Sequence, residues 1–349
     1  MSFLKSLYNR PGPFASVYAD LTRTTEEAPK APELRWRALR EALHTEGAPE
    51  GTLRAIDETI RRELAEKRSE GLIVFAAGGE IAHITRLPDP PAAELARVSP
   101  LPHVLPLLAE RGERFSYLLV SVDRRGGEIT CVAPDGTRTT THVEGDEDYP
   151  IRKVKAGDWN QSRFQRAAEN TWKANAKKVG REVDVSAKQC GAELILLSGE
   201  PQARSTLMEE ISDPLLERTV EAKDVDELLE LKETERLMAI AERYEREFAH
   251  GERAVKGLSA TVEAARRGQI ETLLLPDDSP ARVWVGPNPT EISAELGELH
   301  RMGVSDPVEE RADTALIRAV AATDGDLALL HQPRIGAILR YSDNATRHQ

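Results

Sequence analysis

The chain has 349 residues, 40% of them hydrophobic and 30% charged, which is the composition of a globular protein of about two or three domains. No apolar run approaches the ~18 residues of a membrane span, and the opening Met-Ser-Phe-Leu-Lys lacks the pattern of a secretion signal, so a cytoplasmic protein with no membrane partner is expected. A net charge of −12 argues against general coating of DNA or RNA. Cys131 and Cys190 lack metal-ligand spacing and the eight histidines are scattered, so neither a disulfide framework nor a metal site or other cofactor is expected.

In chain order, 14–20 alternates between proline-flanked ends and reads as a strand, followed by two helices at 32–44 and 51–67 with apolar residues at helical spacing. An apolar strand at 71–77 ends on Gly78-Gly79 and pairs with 80–85 as a hairpin. The proline-rich 87–106 reads as the exit from this α/β domain, with a short helix from Leu101.

Three strand-like runs, 116–122, 128–133 and 137–143, are separated by Gly-Gly and Asp-Gly turns and make an antiparallel meander. The acidic run 144–148 then leads to a polar, glycine-containing loop at 153–166 that enters a long basic helix. That helix sets Phe164, Ala168, Trp172, Asn175, Val179 and Val183 on one stripe, so Trp172 reads as a core anchor rather than a base-stacking platform. A buried strand at 193–198, a helix from Pro201 and a short strand near 218–220 complete the order expected of a ribonuclease-H-like domain.

The remaining segments read as helices at 225–248 and 255–267, strands at 269–275 and 282–285, a loop and helix at 287–302, a helix at 307–322, a strand at 327–331 and an edge strand at 336–340. The fold class is α/β (α+β) with three domains, 1–110, 111–223 and 224–349, the last a compact α/β/α sandwich.

Charge singles out one stretch. Between Pro150 and Lys188 ten basic residues stand against four acidic ones, leaving +6 in a chain of −12, the asymmetry of a surface that meets a polyanion. A metal-dependent nuclease would need converging carboxylates. Asp123 ends the first meander strand, but 144–148 is a contiguous run of the kind found in solvated loops.

The layout resembles that of the archaeal and eukaryotic class-1 peptide chain release factors and their bacterial relatives, among them Balon-like hibernation factors and related peptidyl-tRNA hydrolases. Gln161-Ser162-Arg163-Phe164-Gln165-Arg166 is similar to the family's Gly-Gly-Gln loop with its trailing Ser, Arg-Phe and basic residue; Trp159 and Asn160 stand in place of the two glycines, with Gly157 further upstream. Residues 262–275 resemble the Glu-Thr-Leu-Leu segment of the family's L7Ae-like C-terminal domain, and nothing in the first domain resembles a codon-reading loop.

The resemblance implies a ribosome-associated protein that binds the A site and extends 153–166 to the peptidyl-transferase centre, acting in translation under stress. The family's chemistry there is hydrolysis of the peptidyl-tRNA ester, which needs an oriented water and donors facing the oxyanion rather than a strong base. Gln161 would be the catalytic residue, and Lys153, Lys155, Gly157, Trp159, Asn160, Arg163 and Arg166 would meet rRNA or tRNA. The alternative is a hibernation factor that only occupies the site. A translational GTPase is a further implied partner, and a monomer is expected.

Overall fold

The computed structural model describes residues 2–23, 31–66, 69–110, 115–133, 137–145, 158–221, 225–251, 253–276, 278–330 and 335–342, with 2–3 and 158–168 described through their backbone only. The chain divides into two compact units, 1–110 with 236–349, and 111–235. The division at 110 and 224 into three domains stays a proposal, since the first unit holds both the N-terminal and the C-terminal sheets.

The first unit opens with α1 (Ser2–Tyr8), which sequence periodicity had not marked, and then builds an antiparallel sheet from β1 (Phe14–Asp20), β2 (Gly71–Ala77), β3 (Glu80–Leu87) and β4 (Leu95–Ser99) in the order β3-β2-β1-β4. Strand β4 falls inside the stretch read as a proline-rich exit. It is an edge strand whose five residues are all half-buried, so it carries no alternation.

Helices α2 (Ala31–Thr45) and α3 (Glu50–Glu66) cover one sheet face, packing Trp36, Leu43, Leu53, Ile56 and Ile60 onto Val17, Leu72 and Val74. The opposite face, with Phe14, Tyr18, Ile73 and Phe75, joins α4 (Leu105–Glu110) and the apolar face of the C-terminal half in a single core. Both faces of β2 are therefore buried, which is why it reads as one continuous apolar run.

The second unit holds β5 (Tyr117–Val122), β6 (Gly126–Val132) and β7 (Arg138–Glu144) as an antiparallel meander. Next come α5 (Asp158–Cys190), β8 (Leu194–Gly199), α6 (Pro201–Met208), α7 (Asp213–Leu216) and β9 (Thr219–Glu221), in the sheet order β7-β6-β5-β8-β9 with β8 parallel to both neighbours. The order meander, helix, strand, helix read from the sequence is the order found. The expectation of no disulfide is overturned: Cys131 of β6 and Cys190 at the end of α5 are joined as a disulfide across 59 positions. Their long spacing hid a proximity that the return of α5 across the sheet creates.

Helix α8 (Val225–His250) contains the boundary between the units. Leu229 packs within the second unit, while Tyr244 packs within the first against Leu274, Ala328 and Ile338. Two further sheets follow in the first unit. One comprises β10 (Ala254–Lys256), β11 (Ile270–Leu275), β15 (Asp326–Leu329) and β16 (Gly336–Leu339) in the order β10-β16-β11-β15; the other comprises β12 (Arg282–Val285), β13 (Ile292–Ser293) and β14 (Val308–Arg311).

With α8 on one face of the larger sheet, and α9 (Leu258–Arg266) and α11 (Ala312–Ala322) on the other, this half is the sandwich anticipated; α10 (Leu296–Arg301) packs beside the smaller sheet. Three local expectations fail here. Val255 and 308–311 are strand rather than helix, because pairing with β16 and β12 outweighs the helix propensity of Val-Glu-Glu-Arg. Strand β16 is interior rather than an edge, and all four of its residues are buried.

A buried polar seam runs through the first unit. The Tyr18 hydroxyl donates to the His103 carbonyl at 2.7 Å and accepts from the Leu107 N–H at 3.2 Å. Glu310 accepts from the Leu101 N–H at 3.1 Å, and burial pushes its carboxyl above the usual range. His103 is 6% exposed, with Nδ1 3.4 Å from the Thr314 hydroxyl, and desolvation lowers its pKa from 6.5 to about 4. The neutral ring is thus the form the fold accommodates, so this contribution is complete above pH ~6.5 and is lost as pH falls towards 4. Replacing His103 with Gln should flatten that limb of a stability-versus-pH curve by about 2–3 kcal/mol. Denaturant titrations of both proteins at pH 7, 5.5 and 4.5 measure it, and parallel curves would refute the assignment.

Candidate functional site

Helix α5 is 33 residues long and starts at Asp158, so Trp159, Asn160, Gln161, Arg163 and Arg166 lie in its first turns. The loop expected through Arg166 is therefore shorter than anticipated. No glycine or proline interrupts 158–179, and an aspartate opening the helix suits the positive end of its dipole. Lys153, Lys155 and Gly157 lie outside the described residues, as do the side chains of Trp159, Asn160, Gln161, Arg163 and Arg166.

From Glu169 onward the geometry of α5 is explicit. Asn175, Ala176, Val179, Val183 and Ala187 are buried, and Val179, Val183 and Ala187 pack with Leu118, Val120 and Ile129; Asn175, Val179 and Val183 belong to the anticipated stripe. Lys173, Lys177, Arg181 and Lys188 are exposed, at spacings of four, four and seven residues. That periodicity holds four cations along one side of the helix over about 22 Å, a row suited to successive phosphates.

Midway along its length, at Trp172 and Asn175, the helix is tied to the β5–β6 turn. The buried Asn175 amide donates to the Arg124 carbonyl at 2.9 Å. The Arg124 guanidinium lies 4.4 Å from the Trp172 ring centroid, and its Nε is 2.8 Å from Glu200 Oε2. The face of Trp172 covered by this cation is not available for a base, in keeping with its reading as an anchor rather than a platform.

Gly145, the last described residue before the 146–157 segment, donates its N–H to the Arg125 carbonyl at 2.6 Å. A Cβ at this position would sit 2.3 Å from both the Arg125 carbonyl oxygen and Asn175 Cγ. One turn thus receives both ends of the segment that carries the candidate residues. Asp123 belongs to the same turn. Its Oδ1 accepts the N–H groups of Arg125 at 2.7 Å and Gly126 at 2.9 Å, so this oxygen is committed to the backbone of the turn.

The sequence reading missed Arg124, Gly145 and Glu200 as supports. Asn175 was legible only as a polar residue within an apolar stripe, which is the usual mark of a buried hydrogen bond.

Residues 116–255 match the model of the bacterial archaeo-eukaryotic release factor family 2. Two uncharacterized proteins of Mycobacterium tuberculosis strains are each 26% identical to the chain, over 97% of it and 96% of their own length. Among solved structures, an archaeal translation termination factor is similar over 97% of this chain and 96% of its own at 13% identity and a TM-score of 0.25. A translation termination-like factor of S. cerevisiae involved in RNA quality control is similar over 81% and 83% at 11% identity and a TM-score of 0.38.

Proposed function

From the place of this chain among the bacterial relatives of the archaeo-eukaryotic release factors, carried by residues 116–255, we propose that it is a ribosome-associated protein of the A site. In this reading α5 lies along RNA through its cation row, and the 153–166 segment points towards the peptidyl-transferase centre. The observation that carries it is the exposed row Lys173, Lys177, Arg181 and Lys188 on a helix tied midway to the β5–β6 turn, within the matched segment of a chain whose net charge is −12. A translational GTPase as delivering partner, rRNA and tRNA as the contacted nucleic acids, and a role under stress belong to the same proposal.

Hydrolysis of the peptidyl-tRNA ester by Gln161 and simple occupation of the site are the two outcomes such a placement allows. Trp159 and Asn160 lie in the first turn of α5, where backbone N–H groups have no partner within the helix, so donors of the kind needed to position water on an ester are available under either outcome.

Binding to purified ribosomes at several salt concentrations tests the placement. Lys173→Ala/Lys177→Ala/Arg181→Ala should weaken binding by roughly 10- to 100-fold and reduce the salt slope by about 2. Unchanged affinity and slope would refute it. Gln161→Ala should bind as the parent does, and a peptide-release assay with both proteins separates the two outcomes: release lost in the variant supports hydrolysis, and no release from either supports occupation.

A further inference from the structure

Cys131 and Cys190 are the only cysteines of the chain, and they are bonded to each other. The 59-residue separation gives the bond a particular reach. It closes a covalent loop containing β7, the acidic run, the 146–157 segment and α5 up to its last residue, which is the whole stretch that carries the candidate site.

The two ends of the bond differ mechanically. Cys131 sits in β6, registered opposite Leu118 of β5 on one side and Thr139 of β7 on the other. Cys190 is the final residue of α5. It is followed by Gly191 at φ +64°, and the last turn is closed by the Ala192 N–H on the Ala187 carbonyl at 3.0 Å. The strand end is held by ladders on both sides, whereas the helix end is a terminus free to fray once the bond is gone.

The surroundings suit both oxidation states. Each cysteine is half-buried rather than sealed in the core, and both pack beside the apolar cluster of Leu118, Val179, Val183 and Ile195. A reduced Cys190 has the Val132 carbonyl 4.0 Å from its sulfur as an acceptor for the S–H. A free thiol is a small, weakly polar side chain that suits these apolar surroundings, and at Cys190 its weak donor has this acceptor.

We propose that this pair is a reversible thiol–disulfide modification site, exchanging with low-molecular-weight thiols, which fastens the C-terminal end of α5 to β6 when oxidised and releases it when reduced. In reduction, a thiolate of the small thiol attacks one protein sulfur and the S–S bond breaks. The other cysteine leaves as a thiolate and takes a proton from water. A second small thiolate then attacks the mixed disulfide, frees the remaining cysteine and departs as the small-molecule disulfide. Two small thiols are oxidised to one disulfide as the protein disulfide becomes two thiols, and the same small disulfide is the oxidant in the reverse direction. The proposal does not depend on what α5 binds.

The test equilibrates the intact protein in buffers that run from reduced to oxidised glutathione, traps thiols by alkylation and reads the mass. Hydrogen exchange of the 186–190 amides is followed in the same samples. The intramolecular disulfide should rise from a minor to the major species across the series, and the 186–190 amides should exchange about tenfold more slowly in the oxidised form. Cys131→Ser should match the reduced parent at every buffer composition. Three results would overturn the proposal: a bond that resists millimolar dithiothreitol in the native protein, one that never forms in oxidised glutathione, or helix-end exchange that is the same in both forms.

Discussion

Arg311→Met should cost the first unit about 3–5 kcal/mol, because it strands a carboxylate that water cannot reach. Asp313 is fully buried at the first turn of α11, where its Oδ1 accepts the Thr314 N–H at 2.5 Å and the Thr314 hydroxyl at 2.9 Å. Arg311 Nη2 lies 2.6 Å from Asp313 Oδ2, 2.6 Å from Asp278 Oδ1 and 3.0 Å from the Ser279 carbonyl. The hydrogen bond to Asp313, ahead of that to Asp278, holds the guanidinium well above its ordinary range. The same arginine, through its hydrogen bond, holds the Asp278 carboxyl below its own.

Removing the cation therefore loses more than an ion pair, since the desolvation already suffered by Asp313 is then offset only by the two Thr314 donors on its other oxygen. Arg311→Met combined with Asp313→Asn should recover more than half of the loss, because the second change removes the stranded charge. Hydrogen exchange of α11 amides, which reports this unit alone in a chain that need not unfold in one step, gives both values. A loss below about 1 kcal/mol for the single variant would mean that solvent reaches Asp313.

Gly145→Ala should destabilise the second unit by about 3 kcal/mol and disturb the middle of α5 around Asn175. The added methyl would sit 2.3 Å from both a backbone oxygen and the buried Asn175 side chain, and neither can retreat without breaking a hydrogen bond of the β5–β6 turn. Adding Asn175→Ala should relieve the side-chain collision while leaving the one with the Arg125 carbonyl. The two substitutions should therefore be sub-additive by about 1 kcal/mol, with the double variant still less stable than the parent. Denaturant titrations of the four proteins in this cycle supply the coupling. Strict additivity would indicate that the chain at Gly145 moves away from α5 without cost.

Much of the architecture could be read from residues alone where the signal was periodic and local. The meander announced itself through alternation and Gly-Gly and Asp-Gly turns, and α5 through a stripe from Trp172 to Val183 that is buried or half-buried where it is described. The stretch proposed as the site stands out in the sequence as a reversal of charge sign, and it lies within residues 116–255, which match a release factor family model. Strand β14 was not legible, because Val-Glu-Glu-Arg next to a helix has no strand signature until β12 is beside it.

The sequence by itself determined the order of the elements in the second unit and the basic character of the central helix. These are properties of neighbouring residues, set by side-chain period and sign of charge. The tertiary structure alone decided that one core serves the N-terminal sheet and the C-terminal half, that Asn175 and Gly145 meet at the β5–β6 turn, and that two cysteines 59 positions apart are bonded. Each depends on residues far apart in the chain, brought together by sheet register and helix return that no local pattern encodes.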